Sequence, residues 1–182
     1  AVPYGGKPLE PFTRYDAKVQ AVLSSGESAE SVLSFETGRL DTPWQAKWIT
    51  DKSYRFTEKG TSPAPLLFKK EIAKRGEIKS AKMYVTALGI YEITLGGEKV
   101  GEDFFAPGFT SYKTCLQYQV YDITEQLGKS GDLRVTVAGG WAVGAFVFTR
   151  KNRVTAPRQA LLAEIRIEYA DGESEVVRTD AS

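Results

Sequence analysis

The chain has 182 residues with 24 basic and 23 acidic side chains, a net charge of +1, which leaves room for one domain plus a smaller piece and excludes a (β/α)8 barrel of about 250 residues. So even a balance lacks the cationic excess that phosphate-backbone binding requires, and nucleic acid is excluded as a partner class. Histidine is absent, which removes the commonest general base, the usual nucleophile–histidine partnerships and imidazole metal sites.

The first six residues, AVPYGG, are neither a signal peptide nor a methionine start, so the chain is expected to derive from something longer. A single cysteine, Cys115, cannot form an internal disulfide, and no apolar run reaches the roughly 18 residues that cross a bilayer, so no membrane partner is expected. Nine Tyr, nine Phe and three Trp suit pleated, half-buried surfaces and predict an all-β chain.

Residues 15–23 place Tyr15, Ala17, Val19 and Ala21 on one face, and after the turn Ser24-Ser25-Gly26-Glu27 a second strand runs over 28–37, a hairpin. Two strands alone bury too little apolar surface to be stable, so this hairpin is expected either to pack on the following domain or, the favoured reading, to have lost strands that preceded it. The turn-rich GRLDTP at 38–43 links it to the main domain, giving expected domains of 1–41 and 42–182. Residues 50–65, broken by Gly60, Pro63 and Pro65, read as a surface loop, and a strand resumes over 66–72.

Ala81, Met83, Val85 and Ala87 recur with period two, and beyond Gly89 the alternation resumes in IYEITL, closing on Gly96-Gly97 before EKV; this is the hairpin core. A strand is predicted over 115–121, followed by one helical turn, ITEQL, capped by Asp122 with Glu125 and ended by Gly128. Further strands are predicted over 133–139, 145–148, 160–170 and 174–179, the last pair joined by the tight turn Asp171-Gly172. Many short strands with almost no helical periodicity and no repeat predict a jelly-roll-like antiparallel β-sandwich, with the partial hairpin at its amino end.

Few residues offer chemistry. Glu102 and Asp103 are the only acidic pair beside an aromatic cluster, but neighbours on a strand point to opposite faces, so they read as surface carboxylates rather than a glycosidase pair. No calcium-loop pattern occurs and Asn152 is the only asparagine, so no cofactor is expected and calcium lacks a motif. The run Phe104-Phe105-Ala106-Pro107-Gly108-Phe109-Thr110-Ser111-Tyr112 and the segment Gly139-Gly140-Trp141 concentrate rings where backbones bend, offering either sugar-stacking faces or caps for the core. Cys115 reads as a buried, inert mid-strand thiol, and Arg150-Lys151-Asn152-Arg153 as a solvated basic loop.

The segments YVTALGIYEITLGGEKVG, APGFTSYKTCLQYQVYDITEQL, AGGWAVG and LLAEIRIEYADG with the later Thr179-Asp180 resemble the amino-terminal β-sandwich module of bacterial α-L-rhamnosidases, glycoside hydrolase family 78, over about residues 44–182. The preceding stretch resembles the last strands of a fibronectin type III-like domain. The resemblance implies a fragment incomplete at both ends, with catalysis by an (α/α)6 barrel of the parent enzyme, its expected partner domain. It also implies sugar binding of the kind seen in carbohydrate-binding module family 67, where calcium holds terminal rhamnose. The chain departs from that pattern at Gly96-Gly97 and Ala138-Gly139-Gly140-Trp141, where the family has asparagine, and at Phe109, where it has tryptophan. Trp141, Phe109 and Tyr112 are therefore the candidate stacking rings, with Asp103 as hydroxyl acceptor.

Three readings follow. The favoured one is a non-catalytic accessory module that acts mainly as structural support for the catalytic domain, with sugar binding as an optional second role. An independent lectin-like domain is the alternative, and an autonomous glycosidase, which requires a close carboxylate pair in a cleft, is the third.

Overall fold

The computed structural model describes residues 3–53, 60–145, 148 and 150–180. The chain divides into two units, Ala1–Trp44 and Gln45–Ser182.

In the first unit β1 (Arg14–Val22) and β2 (Ser28–Glu36) pair antiparallel. Period-two alternation sets Tyr15, Ala17 and Val19 opposite Phe35, Leu33 and Ser31, and the Tyr15 and Phe35 rings stack at 5.6 Å. The hairpin base is closed by Thr37, whose Oγ1 accepts from the Thr13 N–H at 2.9 Å and donates to the Glu10 carbonyl at 2.6 Å. Nearby the Arg39 guanidinium lies 3.8 Å from the centroid of the Trp44 ring, a cation–π contact.

The second unit is a sandwich of two four-stranded sheets. One runs in the order β10 (Ser174–Arg178), β9 (Ala160–Tyr169), β4 (Ile78–Leu88), β7 (Gln119–Asp122); the other runs β3 (Leu66–Glu71), β8 (Asp132–Ala138), β5 (Ile90–Leu95), β6 (Glu98–Lys99). Every strand pair is antiparallel. The alternation of the sequence becomes the core: Ala81, Met83, Val85 and Ala87 of β4 with Leu161, Ala163, Ile165 and Ile167 of β9 face Tyr91, Ile93 and Leu95 of β5 and Leu133, Val135 and Val137 of β8. The outer face of β4 and β9 is covered too, and Tyr84, Thr86, Leu162 and Glu164 are buried.

Several local expectations are corrected. The Gly96-Gly97 turn joins β5 to β6, but β4 does not pair with β5: at Gly89 the chain passes from one sheet to the other. The strand expected over 115–121 is reduced to β7, because 112–114 form a turn in which the Thr114 and Cys115 N–H groups donate to the Ser111 carbonyl at 2.7 and 2.9 Å. Cys115 is thus exposed and outside any strand. The helix α1 (Thr124–Lys129) runs through Gly128 instead of ending there; Asp122 accepts from the Thr124 N–H and hydroxyl, and Leu127 is buried. Of the strand expected over 145–148, residues 146 and 147 lie outside the described residues, and Ala145 and Phe148 are in loop and turn. Part of the 50–65 loop, 54–59, also lies outside them.

A cavity of about 260 Å³ opens at the sandwich edge, lined by Phe68, Met83, Val177 and other core residues. Register pairs Lys70 with Leu133, so Lys70 falls on the same side of edge strand β3 as Phe68, the inward-pointing charge that discourages edge-to-edge pairing.

Candidate functional site: a ring-lined cleft

The connection from β6 to β7 carries the aromatic run. Its middle is anchored: Ala106 and Pro107 are buried, and the Tyr91 N–H donates to the Ala106 carbonyl at 2.8 Å. The Gln119 amide adds a donation to the Pro107 carbonyl at 3.3 Å. With that centre held, the flanking rings are thrown outward, and Phe105 and Phe109 are 63% and 62% exposed. Tyr112 folds back, donating its hydroxyl to the Gly108 carbonyl at 3.0 Å, and burial raises its pKa above the ordinary phenol value.

Trp141 comes from the short helical turn α2 (Gly140–Val143), whose Ala142 and Val143 are buried. Gly140 has φ +48°, and a β-carbon there would stand 2.7 Å from Ile90 Cγ2. Only glycine allows the turn to lie this close to β5 and direct Trp141 beside the aromatic loop. Phe105 and Phe109 then meet Trp141 at 6.1 and 5.9 Å, inclined by 67° and 59°, and Phe109 meets Tyr112 at 6.2 Å and 79°. These edge-on arrangements leave ring faces available.

Phe109, Tyr112 and Trp141 line a cleft of about 230 Å³ together with Thr110, Ser111 and Lys113. Val154 and Thr155 complete it. Three of the four candidate residues are thus brought together. Asp103 is not among the lining residues; its carboxylate accepts the Tyr121 hydroxyl at 2.9 Å. Phe105, Val154 and Thr155 were not singled out in the sequence as site residues. Phe105 lay within the aromatic run, but Val154 and Thr155 carry no sequence signal and reach the cleft through tertiary contact, the Thr155 N–H donating to the Ala142 carbonyl at 3.3 Å.

The cleft offers ring faces, hydroxyls and one ammonium, the makings of a surface that stacks on sugar C–H faces and bonds their hydroxyls. It offers no carboxylate pair for proton transfer across a glycosidic bond. Glu102 and Asp103 are exposed and lie in a loop, not a strand. Among the described residues no three His, Cys, Asp or Glu side chains converge, and Lys113 lines the cleft. The donor set there does not suit a divalent cation. The larger cavity at the sandwich edge is lined mainly by apolar residues, with Lys69, Lys70, Arg178, Thr179 and Asp180 beside them, and lacks the exposed rings of the cleft.

Residues 76–182, more than half of the chain, match the model of the alpha-L-rhamnosidase N-terminal domain. The chain belongs to this family. The chain is 42% identical over 100 residues to an alpha-L-rhamnosidase of Streptomyces avermitilis, covering 54% of this chain and 10% of the relative. It is 31% identical over 197 residues to one of Formosa agariphila, covering 94% and 21%. Among solved structures it resembles the native alpha-L-rhamnosidase of Aspergillus terreus with a TM-score of 0.85 at 28% identity, covering 98% of this chain and 21% of that one. It also resembles the Streptomyces avermitilis enzyme complexed with L-rhamnose, with a TM-score of 0.57 at 29% identity over 88% of this chain and 17% of that one. The chain therefore spans about a tenth to a fifth of the length of these relatives. Its all-β sandwich is the fold expected from the strand pattern.

Proposed function

We propose that this chain is a non-catalytic accessory module of an α-L-rhamnosidase, a glycoside hydrolase acting on terminal L-rhamnose, and that its ring cleft binds carbohydrate. The observation that carries this reading is the convergence of Trp141, Phe109 and Tyr112 on one cleft with no carboxylate among the described residues that line it. Catalysis belongs to a separate (α/α)6 domain of the parent enzyme, supported by relatives about five to ten times longer than the part matched here. Residues 1–41 are the closing strands of a fibronectin type III-like domain, and 42–182 form a module of the family 67 carbohydrate-binding type that works without calcium. Rhamnose is the natural ligand to try first, because the Streptomyces neighbour was solved with it.

Calorimetric titration of the chain with L-rhamnose should give saturable heat that Trp141→Ala abolishes, and chelation with EDTA should leave it unchanged. The same preparation should release no nitrophenol from an aryl rhamnoside; turnover there would overturn the non-catalytic assignment. The exposure of Phe105 and Phe109 favours affinity measurable in the isolated chain, as a lectin-like domain would show, and absence of heat would leave the support role alone.

A further inference from the structure

The cleft is electrostatically one-sided. Among the described residues, Lys113 is the only charged side chain lining it, it is exposed, and no ion pair engages it. Val154 and Thr155 continue directly from the basic segment Arg150-Lys151-Asn152-Arg153. That segment is stitched to the turn bearing Trp141, since the Arg153 N–H donates to the Val143 carbonyl at 2.9 Å and the Thr155 N–H to the Ala142 carbonyl at 3.3 Å. The carboxylate nearest along the aromatic loop, Asp103, is engaged by Tyr121. Among the described lining residues the cleft therefore carries one positive charge and no negative one, although the whole chain is nearly neutral.

A neutral sugar would use the rings and hydroxyls but gain only an ordinary hydrogen bond from Lys113. An anionic group beside the stacked ring would gain a charge-assisted bond in a partly dehydrated groove. We propose that the ring cleft takes an acidic saccharide, in which a uronate carboxylate meets Lys113 while a sugar face lies against Trp141 and Phe109. This rests on the reading of the cleft as a sugar site and adds the charge of its ligand.

The test titrates the full chain with a disaccharide of L-rhamnose and glucuronic acid and with its carboxyl-reduced, neutral counterpart, each at low and high salt. The acidic sugar should bind about tenfold tighter at low salt, an advantage that shrinks with added salt. Lys113→Gln should abolish the advantage and Lys113→Arg should retain it, while Trp141→Ala should lose both sugars. Equal affinity for the two sugars in the unmodified chain would overturn the acidic preference and leave the cleft reading standing. Binding indifferent to Trp141→Ala would overturn the cleft, and binding of neither sugar would overturn both.

Discussion

At Gly89 the backbone has φ +141°, and a β-carbon built there would stand 2.1 Å from the Ala138 carbonyl oxygen. The obstacle is backbone in a paired strand and cannot swing away, so Gly89→Ala should cost about 3 kcal/mol or more, measured as a lower urea midpoint. Tyr121 offers a test in pH. Burial and the neighbouring Asp103 push its phenol up to about 12, while the unfolded chain titrates near the ordinary value of about 10. The folded state thus holds the proton more tightly, so this contribution is complete below pH about 10 and is lost as pH rises towards 12. Urea midpoints should fall across that window, and fall less in Tyr121→Phe. Tyr91, raised in the same direction mainly by burial, donates to Gln119 Oε1 at 2.8 Å, and Gln119 in turn holds Pro107. Trp141, Phe109 and Tyr112 were visible as rings near bends, but that they share a cleft and Asp103 does not was invisible, because the β6–β7 connection and the turn after β8 meet only once β8 and β6 flank β5 in one sheet.

Among the elements, β9 shows how one strand serves two layers. Its inward residues build the core, while on the outer face Glu164, fully buried, accepts the backbone N–H groups of Gln45 and Ala46. The entry strap is fastened further where Ile49 and Leu161 exchange backbone hydrogen bonds, both at 2.9 Å. Glu164→Ala would strip two part-buried backbone donors of their side-chain acceptor and leave a void where a fully buried side chain stood, and should cost about 3 kcal/mol, seen as a lower melting temperature and faster proteolysis near Trp48. Strands with clean alternation were legible, including β4, β5, β8 and the β9–β10 hairpin. Residues 115–118 alternate in sequence too, yet they form a loop, because Ser111 captures the Thr114 and Cys115 N–H groups locally and the Gln117 carbonyl is taken by the Thr86 hydroxyl at 2.6 Å. Likewise α1 passes through Gly128, since packing of Leu127 into the core outweighs the roughly 1 kcal/mol glycine penalty.

For the whole molecule, the two units differ in how much they bury. The hairpin of the first leaves Val19, Val32 and Leu33 exposed, whereas the second encloses a continuous core between two sheets. Residues 1–44 alone should therefore be largely unfolded, and 45–182 alone should keep native β-structure, checked by far-UV circular dichroism and amide-proton dispersion in NMR.

Composition and period-two patterning by themselves determined that the chain is all-β and a sandwich, because alternation dictates which side of a strand meets water irrespective of its partner. The lack of histidine in the sequence likewise set the limits on chemistry before any coordinates. Only the tertiary structure decided which strands pair, that Gly89 marks a change of sheet rather than a hairpin, and which side chains meet in the cleft. Those outcomes depend on contacts between residues far apart in the chain, and the burial and backbone hydrogen bonds that select them arise only when the sheets pack together.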